Sequence, residues 1–331
     1  MSEVAAAVQE LTYVRAVNEA LRWALVEYPE ALLFGEDVAV PGGIFGASRG
    51  LRKEFGERVF DMPISESAIL GAAVGAAMRG RRPIVEIMFA DFFFVALDQL
   101  VNQAANVRYV SRGGFTCPIT VRSQQAAVPG ACAQHAQSVE AVFAQCPGLR
   151  VGLPSNAQDA YEMLRAAIAS DDPVIVLESR ALYQTADPFT PDRPVESVGG
   201  ARVVREGDGV TIVSWGRMLR EAVTAAGVLA GRGLDAEVVD LRWLSPLDLE
   251  SVFGSVAKTG RVVIAHEANL TGGFGGEIAA RVAAECFWAL DAPIERVATR
   301  DVRIPAAPAL QRAVLPSAET IAAAAERAAR G

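Results

Sequence analysis

Apolar positions recur at helical spacing in some stretches of the chain and as short continuous runs in others, and the two kinds alternate. Thr12 stands where it can cap a helix whose apolar positions are Val14, Val17, Leu21 and Leu25. Residues 83–89 read as a strand with Pro83 at its start. Asp91 then occupies an N-cap position ahead of Phe93, Leu97, Leu100, Ala104 and Val107 on one helical face. Strands are expected at 118–121, 149–153 and 174–177. Ser155 and Gln158 have capping-box spacing before a helix carrying Ala160, Leu164 and Ile168.

A Pro- and Gly-rich stretch at 186–200 suits neither helix nor central strand and reads as a linker. Beyond it the alternation resumes, with strands at 210–213, 237–241 and 261–265 and helices at about 217–230 and 247–256. A glycine-rich turn at 271–276 leads into a helix carrying Ile278, Val282 and Cys286. Strand–helix alternation in both halves predicts two α/β domains, each with a parallel sheet covered by helices.

Composition narrows the function classes. The 331 residues carry a net charge of −8, which disfavours nucleic acid and anionic membranes as partners. No apolar run is long enough to span a bilayer. The first ten residues lack the basic cluster of a signal peptide, and a cytoplasmic protein is expected. Cys117, Cys132, Cys146 and Cys286 show no CxxC spacing and are expected as buried, reduced thiols.

Glu66 is the most informative candidate. It follows Pro63-Ile64-Ser65 and opens an apolar run with small residues at Gly71, Gly75 and Ala76, which would permit close contact with a neighbour. Two readings fit the pattern: a carboxylate favoured by a helix N-terminus, or a buried acid that shares a proton with a ligand. His135, one of two histidines, sits after the loop 124–133 and suits either a proton carrier or a hydrogen-bonded structural role. His266, at a strand end, reads as structural, and two histidines in separate domains argue against zinc. Phe89, Phe92, Phe93 and Phe94 lie at a strand-to-helix junction; such a cluster is ordinarily core, yet a ring at the carboxyl end of a parallel strand can stack on a heterocycle. No GxSxG elbow occurs, so a serine hydrolase is unsupported. Gly207-Asp208-Gly209 lacks the downstream asparagine of a metal-diphosphate motif and reads as a turn, as does the run 272–276.

Together these segments resemble the beta subunits of pyruvate, branched-chain and acetoin-type 2-oxo acid dehydrogenases. The likeness is carried by Gly35-Glu36-Asp37-Val38, by the run from Phe60 through Glu66, and by the run from Arg82 through Phe92. Leu97-Asp98-Gln99, the loop Gln134-His135-Ala136-Gln137-Ser138, Pro147-Gly148-Leu149, Asp172-Pro173-Val174, His266-Glu267-Ala268, the run from Thr271 through Gly275, and the run from Asp301 through Pro305 extend it over nearly the whole chain.

The resemblance implies a transketolase-like pyrimidine-binding domain over 1–185, a linker over 186–200 and a transketolase C-terminal domain over 201–331. It implies a thiamine-diphosphate-dependent oxidoreductase that decarboxylates a 2-oxo acid and transfers the acyl group to lipoamide. The cofactor would be shared with an alpha subunit that holds the magnesium and the diphosphate, in an alpha2-beta2 heterotetramer that docks on a lipoyl acyltransferase core. Glu66 would hydrogen-bond the aminopyrimidine, Phe92 would stack on it, Met88 would line the pocket and His135 would face the substrate. A structural potassium site would use carbonyls of Ile119, Ala167, Ile168, Ser170 and Asp172. The loop before His135 is poorer in glycine than the family pattern, and Ala136 replaces an expected serine. Both departures lie where substrate is recognised, so a two-subunit acyloin synthase or transketolase-like carboligase working without lipoamide stays open as an alternative.

Overall fold

The computed structural model describes residues 9–191 and 193–330. These form two compact units, one of the described residues up to Gln124 with Cys146–Val198, the other of Gln125–Gln145 with the described residues from Gly199 onward. The N-terminal stretch read for a signal peptide lies largely outside the described residues, as does Asp192 of the expected linker.

In the first unit, strands β2 (Ala31–Gly35), β3 (Val59–Asp61), β4 (Arg82–Phe89), β5 (Thr120–Gln125), β6 (Arg150–Gly152) and β7 (Val174–Ser179) lie in the order β6-β7-β5-β4-β2-β3. β2 pairs in parallel with β3 and β4, β4 with β5, and β6 with β7. Such a sheet must be covered on both faces, and its strands are accordingly apolar runs. Helix α1 (Tyr13–Glu27) buries Val14, Val17, Leu21 and Leu25 and packs against α6 (Ala157–Ala169). Shorter helices α2 (Leu51–Phe55) and α4 (Val107–Val110) flank α3 (Glu66–Met78) in sequence.

Several expectations are corrected here. The single helix expected after Asp91 is instead a 3-10 stretch, Ala90–Val95, a π turn, Gln99–Gln103, a second 3-10 turn and α4. Three consecutive phenylalanines and a valine are poor helix formers, because their side chains crowd the preceding turn. Ser67 Oγ also donates to the Val95 carbonyl at 2.6 Å, which fixes the end of the first stretch. The cap of α6 is Asn156, whose side chain accepts from Asp159 N–H at 2.9 Å, one residue beyond the expected Ser155. The stretch 186–200 is not wholly linker: β8 (Ala186–Phe189) pairs antiparallel with β1 (Gln9–Thr12), and a two-stranded ribbon tolerates Pro188. The small-residue face of α3 is open in part: Gly71 and Gly75 are exposed, a Cβ on Gly71 would touch Gln99 Cγ at 3.7 Å, and one on Gly75 would meet nothing within 4 Å among the described residues. Cys117 and Cys286 are buried as expected, whereas Cys132 is exposed and Cys146 half-buried; none of the four is joined in a disulfide.

In the second unit α5 (Glu140–Ala144) is followed by β9 (Arg202–Arg205), β10 (Val210–Ser214), α7 (Met218–Ala230), β11 (Ala236–Asp240), β12 (Trp243–Ser245), α8 (Leu249–Thr259), β13 (Val262–Asn269), α9 (Gly275–Glu285), β14 (Glu295–Thr299), α10 (Pro308–Val314) and α11 (Ala318–Arg330). Its sheet runs β14-β13-β10-β11-β9, parallel except for the edge strand β9. Ala222, Ala225 and Ala226 of α7 and Ile321, Ala322, Ala324 and Ala325 of α11 build one core over Val210, Ile212, Val238 and Val263. Among the described residues no helix is long and apolar enough to cross a membrane.

Candidate active site

The site in the first unit begins where β2 ends. Gly35 is the Cα partner of both Asp61 on β3 and Glu86 on β4. A Cβ at Gly35 would lie 2.5 Å from the Glu86 carbonyl oxygen, so only glycine permits this approach. The chain then turns through Asp37, which takes a left-handed conformation at φ 57°. Two bonds tie this turn to the end of β3: Ala39 N–H donates to Asp61 Oδ1 at 2.8 Å, and Met62 N–H donates to the Gly35 carbonyl at 2.8 Å. They bring the segment that opens α3 beside the carboxyl end of β2.

Two carboxylates result from that crossing. Glu66 is the first residue of α3 and is half-buried, with no side-chain cap from Ser65. Glu36 is only 9% exposed, and its Oε1 is buried without a hydrogen-bond partner. Burial first, then the charges of Glu66 and Asp37, hold the Glu36 carboxyl above the usual carboxylate range. An orphaned buried carboxyl oxygen beside a second carboxylate is a set completed by a ligand that donates or shares a proton.

Met88 and Phe92, both half-buried, stand at and just beyond the end of β4. Phe92 packs edge-on against Phe89 at 5.6 Å, and Phe89 against Phe45 at 5.7 Å. Beneath these rings Arg122, fully buried on β5, forks to Glu178 at 2.7 and 2.8 Å and reaches Glu86 at 2.5 Å. Tyr183 hydroxyl also donates to Glu178, and burial raises its pKa well above the usual phenol value. A guanidinium shared between two carboxylates locks the central strands that carry Met88.

In the second unit, the loop of His135 is anchored from three sides. Ala127 N–H donates to Glu267 Oε1 at 2.8 Å, Gln311 Nε2 donates to the carbonyls of Val128 and Ala131, and Arg303 donates to Gln137 Oε1 at 2.9 Å. These bonds go with the packing of Gln125–Gln145 within this unit. His135 is half-buried, and its N–H donates to the Cys132 carbonyl at 2.9 Å. Glu140, 1% exposed, accepts from Gln125 at 3.0 Å and from Trp215 Nε1 at 3.4 Å; burial pushes its pKa up. His266 is fully buried and stacks on Trp215 at 5.3 Å, and burial lowers its pKa to about 4. Gly273 and Gly275 crowd its ring: a Cβ on either would lie 2.5 Å from an imidazole carbon. The glycine run therefore serves packing around His266, and nothing in it marks a phosphate cradle.

The carbonyls expected to hold potassium all accept hydrogen bonds from the protein, which leaves each a second lone pair. Arg82 donates to the carbonyls of Ile168 at 2.6 Å and Ser170 at 2.8 Å, so a guanidinium already serves two of the five oxygens. The Ala167 carbonyl accepts from Ser170 N–H, that of Ile119 from Val174 N–H, and that of Asp172 from Ser170 Oγ. Among the described residues no cluster of three or more His, Cys, Asp or Glu is placed to hold a metal ion.

Sequence reasoning singled out Glu66, Met88 and Phe92 but passed over Glu36 as a chemical group. Its signal was a lone Gly-Glu-Asp at a strand end, which reads as a turn until the burial of Glu36 is known.

Residues 9–185 match the family described as transketolase, pyrimidine binding domain, and residues 199–321 that described as transketolase, C-terminal domain. The 2-oxoisovalerate dehydrogenase subunit beta of Pseudomonas aeruginosa is 44% identical over 92% of this chain and 91% of its own length. The pyruvate dehydrogenase E1 component subunit beta of Leifsonia xyli is 43% identical over 95% and 93%. The acetoin:2,6-dichlorophenolindophenol oxidoreductase subunit beta of Cupriavidus necator is 40% identical over 98% of both chains. Among solved structures, a split gene transketolase described as an inactive beta4 tetramer superposes with a TM-score of 0.80 at 27% identity, over 97% of this chain and 98% of that one.

Proposed function

Because this chain belongs to the family of thiamine-diphosphate-dependent 2-oxo acid dehydrogenase beta subunits, we propose that it supplies the pyrimidine half of a shared cofactor site and acts on a 2-oxo acid. The observation that carries this reading is the pair Glu36 and Glu66, with one buried carboxyl oxygen left without a partner. When bound, thiamine diphosphate supplies a carbon nucleophile and an electron sink for the pair released with carbon dioxide.

The residues of this chain have separate tasks. Glu66 holds a proton against N1′ of the aminopyrimidine, and Glu36 stands beside it as a second, more deeply buried carboxyl. Phe92 offers a ring face to the heterocycle and Met88 fills the wall beside it. His135 orients or protonates the substrate from its anchored loop. The arginine fork at Arg122 keeps β4 and β5 in register under the pocket.

A partner chain is part of this reading. Ile64, Phe94 and Val95 are 84%, 47% and 64% exposed around Glu66, and the small-residue face of α3 lies partly open beside them. An apolar rim of this kind around a half-buried acid suits cover by another subunit, here an alpha subunit holding magnesium and diphosphate. Acyl transfer to lipoamide on an acyltransferase core, in the cytoplasm, completes the proposal. The test is product analysis of the complex reconstituted with its alpha partner. With a 2-oxo acid, acyl-lipoamide should form, whereas acyloin from an added aldehyde and no acyl-lipoamide would assign the carboligase alternative.

A further inference from the structure

We propose that Arg180, with Arg49 in a cleft that shares Phe45 with it, forms a cationic rim on the first unit that captures the carboxylate of the 2-oxo acid on its way to the cofactor. This rests on the proposed function and names the group that recognises its substrate.

Arg180 directly follows β7, at the carboxyl end of a parallel strand, where α/β sheets bind their ligands. Its Cζ lies 4.7 Å from the centre of the Phe45 ring and 5.7 Å from that of Phe89. Phe89 in turn packs against Phe92, so one ring separates the guanidinium from the ring assigned to the pyrimidine. Ring faces hold a guanidinium in place without using its N–H donors. Among the described residues the guanidinium of Arg180 makes no hydrogen bond and no ion pair.

The other inward arginines of this unit differ. Arg122 is neutralised by Glu178 and Glu86, and Arg82 meets two carbonyls and Asp171. Arg180 is half-buried and keeps a charge with nothing to neutralise it. Burial lowers its pKa from the usual guanidinium value, as expected for a cation partly stripped of water. Such a cation attracts a small anion more strongly than an exposed one does.

Arg49 extends the rim. Phe45 also lines a cleft of about 280 Å³ together with Gly46, Arg49, Arg15, Arg22 and Asn18. Arg22 and Arg15 lie against Glu19, and Arg22 also against Glu54, so they add little net charge. Arg49 rests against Gly46 and, among the described residues, has no carboxylate partner. A chain of net charge −8 repels a 2-oxo acid at long range, and two unneutralised arginines at the pocket edge reverse that field locally. The planar fork of a guanidinium also matches a carboxylate in shape.

The test uses the alpha–beta holoenzyme and 2-oxoisovalerate. Arg180→Met should raise KM roughly tenfold or more with kcat little changed, the loss of one charge-assisted contact. Arg180→Lys should recover part of that loss, and Arg49→Met should raise KM by a smaller factor. Inorganic sulfate should compete with the 2-oxo acid in the wild type and compete less in Arg180→Met. An unchanged KM in Arg180→Met overturns the proposal. So does an unchanged KM joined to weaker subunit association, which would assign Arg180 to an acidic side chain of the partner. A wild type that turns over no 2-oxo acid sinks the proposed function instead. Calorimetric titration of 2-oxoisovalerate then decides the rim separately, since equal affinity for wild type and Arg180→Met contradicts it.

Discussion

The carboxyl of Glu36 is held above the ordinary carboxylate range by its burial and by the charge of Glu66, which stands at the start of α3 beside the carboxyl end of β2. Glu36 so placed holds its proton to higher pH than a free carboxyl would. That property suits the exchange of a proton with a heterocyclic nitrogen, and it has a cost in the empty protein.

The cost can be measured. A carboxyl whose pKa is raised in the folded chain contributes stability that is fully present below its unfolded pKa and is lost as pH rises through the folded value. Glu36→Gln removes the buried charge while keeping the shape. The cofactor-free variant should therefore be more stable than wild type at pH 7, with the two converging near pH 4. Urea denaturation across that range checks this, and a variant less stable at pH 7 would contradict the assigned shift.

Arg122→Met should be strongly destabilising. It leaves Glu86 and Glu178 buried without their shared cation, a change that costs about 3–5 kcal/mol. Arg122→Lys should recover little, because an ammonium cannot span both carboxylates as the fork does. Denaturant midpoints of the three proteins give the ranking.

His266 should stay neutral until the solution is markedly acidic. Its folded pKa of about 4 lies below the unfolded value of 6.5, so stability is present above pH 6.5 and is lost as pH falls toward 4, on the order of 3 kcal/mol in all. With two histidines in the chain, its imidazole resonances can be followed by NMR during an acid titration. A midpoint near 6.5 would show that the ring is not sealed by Trp215 and the glycines.

Gly273→Ala tests the same seal from outside. The new methyl would meet the Asn269 carbonyl at 2.3 Å and the His266 ring at 2.5 Å, and backbone cannot give way cheaply. A loss of roughly 1–3 kcal/mol is expected. Thermal unfolding of the variant measures it, and a Tm equal to wild type would refute the packing role.

Much of this architecture was legible in the sequence because two periods of apolar residues alternate cleanly. Strands such as β4 and β10 and helices such as α7 follow directly from that rule. The segment after Asp91 misled, since helical spacing of Phe93, Leu97 and Leu100 says nothing of the crowding among three adjacent phenylalanines. Helix α11 went unread because its buried face is built almost wholly of alanine, which carries little apolar contrast. Glu66 could be named from its motif, whereas Glu36 needed the fold. Only the pairing of Gly35 with both Asp61 and Glu86 reveals that a residue in a turn is buried beside a second acid. Arg180 was invisible for the same reason, since nothing in Ser179-Arg180-Ala181 announces two phenyl rings from distant segments.

The central claim is that Glu66 exchanges a proton with the cofactor. The most direct measurement is the turnover number of the reconstituted alpha–beta complex carrying Glu66→Gln, at saturating thiamine diphosphate and 2-oxo acid. The account predicts a fall of about 10²-fold or more with the complex still assembled. Turnover within about twofold of wild type would contradict it.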